Sequence, residues 1–225
     1  MLNEDFLMRL LDAPSPSGFE QPAQRIWRDQ VEDDLKDSKK IYRINGDVHG
    51  NSIATVNLHP DAVGGVKRIM LSGHCDEIGF MVNHIDDNGF IYFSAIGGID
   101  VSILSTHRVH IHTAKGSILG AIGKKPIHLM TEEERKKQPK IHEFWIDAGF
   151  ENKKKAEDLV RIGDPITFQS DCVKLSTHYM GAGESDERKL ITSRGLDDKI
   201  GSFIVAEVLR ALTKKEEKDL PKNVV

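Results

Sequence analysis

Apolar positions recur at helical spacing from the start of the chain. Phe6, Leu7, Leu10 and Leu11, within residues 3–12, predict an amphipathic helix that Pro14 ends. Ser15-Pro16-Ser17-Gly18 is turn chemistry. A second amphipathic helix is expected over about 20–36, with Ile26, Trp27, Val31 and Leu35 on one face. Gly50-Asn51 then leads into a short alternating strand, Ser52–Asn57. After a turn at Asp61–Gly65, Arg68-Ile69-Met70-Leu71-Ser72 reads as an apolar strand of the buried kind. Helix, helix, strand, strand is an order that suits an α/β sheet.

From Ile78 the period shortens. β-rich runs follow at Ile78–His84, Phe90–Ser94, Arg108–His112, Ser117–Ile122, Glu143–Asp147 and Ile166–Phe168. Gly, Asn, Asp or Pro punctuates most of the gaps, and Asp87-Asn88-Gly89 is a hairpin signal. Such spacing predicts a small barrel or sandwich, interrupted by one helix at about 152–160. Past residue 190 the helical texture returns, with a helix from Ile200 to Leu212 whose apolar face holds Phe203, Ile204, Val208 and Leu212. Asn223-Val224-Val225 reads as the opening of a further strand. The expected organisation is an α/β domain formed by residues 1–77 plus 186–225, interrupted by a β-rich domain at 78–185. No internal repeat is evident.

Composition narrows the classes of function. The 225 residues are 39% hydrophobic and 29% charged, which is ordinary for a soluble globular protein. A net charge of -4 argues against nucleic acid as a partner, and the basic runs at Arg135–Lys137 and Lys153–Lys155 sit beside acidic residues as solvated faces do. Two cysteines, Cys75 and Cys172, make no disulfide framework and fit a reducing compartment. No apolar run spans a bilayer and the N-terminus lacks signal-peptide character, so no membrane partner is expected and the cytoplasm is the expected location.

Two short blocks carry chemistry. In Leu71-Ser72-Gly73-His74-Cys75-Asp76-Glu77-Ile78-Gly79, His74 stands just past an expected strand, where open α/β sheets place ligands. Asp76 is two residues on, so an extended chain turns both side chains to the same side. There Asp76 can accept the second imidazole N–H, fixing the tautomer and strengthening the other nitrogen as a metal ligand. A capped turn with an exposed His and Asp is the alternative. In Gly195-Leu196-Asp197-Asp198-Lys199-Ile200-Gly201, Asp197 can bridge two metal ions with Asp198 in support; the alternative is a pair of helix N-caps. His110-x-His112 reads as one polar face of an edge strand, His128 as structural, and Cys75 as a buried thiol facing away from His74 and Asp76.

Taken in order, the blocks L-x-x-x-P-S-P-S-G-F-E, G-N, S-G-H-x-D-E-I-G-F-M-V and G-L-D-D-K-I-G resemble the glutamyl-aminopeptidase family. These are tetrahedral, self-compartmentalising aminopeptidases, some of them first named endoglucanases. The resemblance runs from Leu10 to Leu212. It implies a zinc-peptidase-type α/β domain, incomplete here, interrupted by a PDZ-like β-barrel used for dimerisation. It implies two divalent ions, zinc or cobalt, a peptide substrate, and homo-oligomers ranging from a dimer to a dodecamer. By the same resemblance His74 matches the ligand of one metal and Asp197 the carboxylate bridging both. Asp76 matches the catalytic acid that orients His74, and the peptide after Asp197 is expected to be cis.

The family's Glu-Glu pair, which holds the general base and a further ligand, has no counterpart in this sequence, and neither do its later Asp and His ligands. Glu132-Glu133-Glu134 and Glu216-Glu217 stand in charged helical or tail contexts and do not replace the pair. The expectation is a truncated and inactive aminopeptidase. Alternatives are a non-catalytic oligomerisation remnant, or a related metallohydrolase acting on other amides or on glycans.

Overall fold

Asn3 starts the first helix by accepting the Phe6 amide at 3.1 Å on its side-chain oxygen, and two acids follow in the first turn, where the helix dipole favours them. That helix, α1, spans Glu4–Asp12 and buries Phe6, Leu10 and Leu11. The second, α2, spans Gln21–Leu35 with Pro22 in its opening positions, and buries Ala23, Trp27, Val31 and Leu35 along one stripe. In the computed structural model the described residues are 2–38, 40–58, 67–175, 190–216 and 220. The expected turn at Asp61–Gly65, the strand opening at Asn223–Val225, and Glu217 lie outside them.

The chain divides into two compact units, one of residues 1–15, 20–76 and 171–225, the other of residues 16–19 and 77–170. In the first unit, α1 and α2 pack with an antiparallel hairpin of β1 (Ile41–Gly46) and β2 (Ser52–Asn57). The hairpin turn is built on Asp47, whose carboxylate accepts the amides of His49 and Asn51 and the Asn51 side chain at 2.7–3.0 Å. The sequence pattern missed β1, because Tyr42-Arg43-Ile44-Asn45 mixes apolar and charged residues in too short a run.

The last helix, α5, is assigned to Leu196–Thr213, with Asp197 and Asp198 non-helical, so regular helix begins after Asp198. Its buried face carries Phe203 and Ala206, with Val205, Leu209 and Leu212 partly buried beside them. Ile204, expected inward, is half exposed. The face is set by contact with α1 and α2, where the Phe6 and Phe203 rings lie 5.6 Å apart and the Trp27 indole donates to the Ser202 carbonyl at 2.8 Å.

One expectation fails outright. Residues 68–72 join none of the sheets formed by the described residues, and Ile69, Met70 and Leu71 are 64%, 88% and 49% exposed. A buried strand needs paired neighbours and covering layers on both faces, and the described residues supply neither. The segment instead forms one wall of an apolar cavity of about 900 Å³, opposite Val56, Leu58, Val205 and Leu209.

The second unit is a closed six-stranded barrel. Its strands are β3 (Gly79–Ile85), β4 (Ile91–Ile96), β5 (Arg108–Thr113), β6 (Gly116–Lys124), β7 (Phe144–Asp147) and β8 (Pro165–Phe168), in the order β3-β4-β7-β6-β5-β8, with β8 back against β3. Alternate residues point inward, and Phe80, Val82, Ile91, Phe93, Val109, Ile111, Phe144, Ile146 and Ile166 form a core centred on the Phe80–Phe93 and Phe80–Phe168 edge contacts. Closure leaves no unpaired strand edge. β5 is therefore not an edge strand: it lies between β6 and β8, because closure needs both of its sides. Two short helices, α3 (Glu132–Lys136) and α4 (Lys153–Glu157), decorate the loops, and α4 is shorter than the 152–160 expected. A two-stranded ladder of β9 (Val173–Leu175) and β10 (Leu190–Thr192) belongs to the first unit.

The tightest approach in the first unit is backbone against backbone. A Cβ on Gly73 would lie 2.5 Å from Gly201 C and from Ser202 N in α5, and no flexible side-chain end is there to yield. Gly73→Ala should therefore destabilise the chain by about 1–3 kcal/mol, read as a lowered midpoint in urea denaturation. An unchanged midpoint would mean that the two segments do not touch in this way.

Candidate metal centre

His74 and Asp76 turn to the same side, and His74 Nδ1 lies 2.9 Å from Asp76 Oδ1. The other ring nitrogen, Nε2, lies 3.2 Å from Asp197 Oδ1. One imidazole thus links two carboxylates drawn from segments far apart in sequence. Two donors sharing a tetrahedral ion at about 2.1 Å each stand about 3.4 Å apart, so the Nε2–Oδ1 gap fits a common divalent ion. The Asp76 contact on the opposite nitrogen is the kind that fixes the tautomer of a metal-bound histidine.

Local structure sets this geometry. Gly195 has φ +65, in the left-handed region, and starts the turn. The Asp197-Asp198 peptide is cis. Asp198 turns inward, and its Oδ1 accepts the Gly201 amide at 2.9 Å, which caps the start of regular helix in α5. Gly201 sits so close to that carboxylate that a Cβ there would collide with it. Asp197 faces solvent, with its side chain 97% exposed. The Ser202 hydroxyl lies within donating reach of the Gly73 and His74 carbonyls, at 3.2 and 3.1 Å, which ties the His74 segment to α5. Ser202 went unnoticed in the sequence; the one signal was a small hydroxyl, one helical turn past Asp198, on the buried side of an apolar helix.

Electrostatics follow from the same contacts. Partial burial works to lower the His74 pKa, but the charges and hydrogen bonds of Asp76 and then Asp197 outweigh it and raise it above the ordinary value. A raised histidine pKa stabilises the fold below the unfolded value, and that stabilisation is lost as pH rises through the folded one. With more than half the His74 side chain in solvent, the contribution is small.

The remaining candidates sit elsewhere. His110 and His112 share the outer face of β5 with ring centroids 6.4 Å apart; His112 Nε2 is 2.9 Å from Thr167 Oγ1, and Phe19 stacks on its ring. His128 is exposed in a single 3-10 turn. The Cys75 thiol is pushed up to about 11, chiefly by burial and then by Glu20, and Gln24 Nε2 approaches its sulfur at 3.2 Å, so it is not a thiolate at neutral pH. Glu134 closes a capping box with Thr131 in α3. Among the described residues no group of three or more His, Cys, Asp or Glu is arranged to hold a metal ion. No described helix is long and apolar enough to cross a membrane.

His74 and Asp197 bring two potential donors within reach of one ion, and comparison with known proteins identifies the family. Residues 50–224 match the model of the M42 glutamyl aminopeptidases, and the chain belongs to that family, whose peptidases are generally dependent on two metal ions. It is 30% identical to the lysyl aminopeptidase of Pyrococcus furiosus, a match covering 96% of this chain and 57% of the relative. Among solved structures it is similar to a TET aminopeptidase from a marine sediment archaeon of the Thaumarchaeota, with a TM-score of 0.76 at 28% identity, over 93% of this chain and 53% of that one. It is also similar to the Pyrococcus horikoshii TET1 peptidase, which can assemble into a tetrahedron or a large octahedral shell, with a TM-score of 0.71 at 28% identity, over 93% and 56%. The chain spans about half the length of the curated relatives it matches.

The carboxylates on either side of His74 give a direct test. Asp76→Asn should lower the pH at which His74 titrates, measured from its imidazole NMR signals. An unmoved titration would show that Asp76 does not face the ring.

Proposed function

We propose that this chain carries one part of the dinuclear metal centre of an aminopeptidase that removes N-terminal residues from peptides. The observation that supports this best is the 3.2 Å gap between His74 Nε2 and Asp197 Oδ1, with Asp76 behind the imidazole. In this reading His74 binds one ion and Asp197 bridges two. Asp76 is the catalytic acid that holds the imidazole proton at Nδ1 and keeps Nε2 free as a ligand. Asp198 supports Asp197 by capping α5. Bound zinc or cobalt ions would supply Lewis-acid polarisation of the scissile carbonyl and activation of water.

The same reading makes residues 1–77 plus 186–225 a zinc-peptidase-type α/β catalytic domain, incomplete in this chain. The domain expected at 78–185 becomes an inserted PDZ-like module for dimerisation in a cytoplasmic homo-oligomer, its barrel formed by the strands from Gly79 to Phe168. The assembling Pyrococcus horikoshii relative and the closed barrel with its own core support that part. A catalytic zinc site needs about three protein ligands and an open position. Among the described residues His74 and Asp197 are two and none is assigned as general base; in this reading the chain is a truncated form without peptidase activity.

The 225-residue chain, supplied with zinc or cobalt, should not hydrolyse a panel of aminoacyl-anilides above the uncatalysed rate. Cobalt titration should reveal one site of sub-millimolar affinity that His74→Ala abolishes. Tight binding of two ions, or turnover of any anilide, would overturn the two-ligand account.

The closed barrel favours a second reading, in which the chain serves as an oligomerisation module without catalysis. It predicts a discrete dimer or larger species in sedimentation velocity, and a monomer at all concentrations would reject it.

A further inference from the structure

α1 ends at Asp12, and its last carbonyls lie at the negative end of the helix dipole with no amide of the helix left to satisfy them. Two cations fill that role. Lys199 Nζ donates to Ala13 O at 2.6 Å and to Leu11 O at 3.3 Å. The Arg194 guanidinium donates to Asp12 O and, at 3.4 Å, to Ala13 O. Lys199 is fully buried, and an ammonium leaves water at tolerable cost only when its protons reach strong acceptors. Helix-terminal carbonyls are such acceptors.

These two residues flank the Gly195-Leu196-Asp197-Asp198 turn, one on each side. Asp197 is almost wholly exposed, so side-chain packing does not aim its carboxylate. Its direction comes from the backbone of the turn, and the turn is tied down where Arg194 and Lys199 meet α1. Ser202 holds the His74 segment on the other side of the pair. α1 is thus the fixed body to which the Asp197 turn is anchored.

We propose that Arg194 and Lys199 form a clamp on the carbonyl end of α1 that positions Asp197 for a divalent cation. Both are positioning residues, acting on metal affinity through the backbone of residues 195–198. The proposal rests on the metal-centre reading above, and the test separates the two.

Cobalt(II) is titrated into the 225-residue chain and followed by its visible absorption, in the unaltered chain and in His74→Ala, Lys199→Met, Arg194→Gln and Val31→Ala. Lys199→Met and Arg194→Gln are each expected to weaken the His74-dependent site about tenfold, as loss of a group that orients a ligand does. Val31→Ala, a core change on α2 away from the α1 carbonyls, is expected to leave affinity unchanged while lowering the unfolding midpoint. If Lys199→Met does not fold, Arg194→Gln decides, since that side chain is only partly buried. His74-dependent binding that survives unchanged in the folded clamp variants overturns the clamp alone. So does equal weakening in Val31→Ala, which would reduce the effect to general stability. Absence of any His74-dependent binding in the unaltered chain overturns the metal-centre reading itself.

Discussion

Backbone against backbone, with no side chain between, is how the segment bearing His74 meets the helix that follows Asp197. Gly73 packs on Gly201 and Ser202 so closely that even a methyl group has no room. Were any larger residue at position 73, the two segments would stand apart by the thickness of a side chain. The 3.2 Å approach of Nε2 to Asp197 would then be lost. Everything specific about the site follows from that contact. The Ser202 hydroxyl reaches the carbonyls of residues 73 and 74 because the backbones touch, and the Trp27 indole fixes Ser202 from behind.

The site that results is electrostatically one-sided. Two carboxylates face a single imidazole, and Asp198 stands directly after Asp197 in the chain, turned away to cap a helix. Like charges brought this close favour whatever cation comes between them. The same two carboxylates are why burial fails to push the His74 pKa down.

Much of this was legible in the sequence, for identifiable reasons. The helices announced themselves through Phe6, Leu10, Trp27 and Val31, because a one-sided apolar stripe has only one way to be buried. The barrel strands were visible through alternation and Asp87-Asn88-Gly89, since local turn chemistry sets a hairpin. His74 and Asp76 were readable together because the i, i+2 relation is local. What failed was tertiary. Residues 68–72 look like a buried strand because their composition reflects a sheet, yet burial depends on neighbours that composition does not show. His110 and His112 look like an edge because one face is polar, whereas an outward face of a closed barrel has the same pattern. The pairing of His74 with Asp197 could be inferred only from the ordered blocks, and Ser202 and Lys199 not at all, since their partners are carbonyls that no side-chain pattern reveals.

The closure of the barrel has a consequence for how the site assembles. Its first and last strands pair, with Phe80 opposite Ile166, so the chain leaves the barrel beside the point where it entered. Once the barrel has formed, Gly79–Phe168 acts as a short link between the chain that enters it and the chain that leaves it, however many residues it contains. Closure entropy grows by only about 0.6 kcal/mol for each doubling of loop length, and the folded barrel removes most of even that cost. Residues distant in the linear chain become near neighbours along the shortest path through folded contacts. An insertion of this kind can therefore grow or be exchanged in evolution with little entropic effect on the halves it separates, provided that its two ends stay paired.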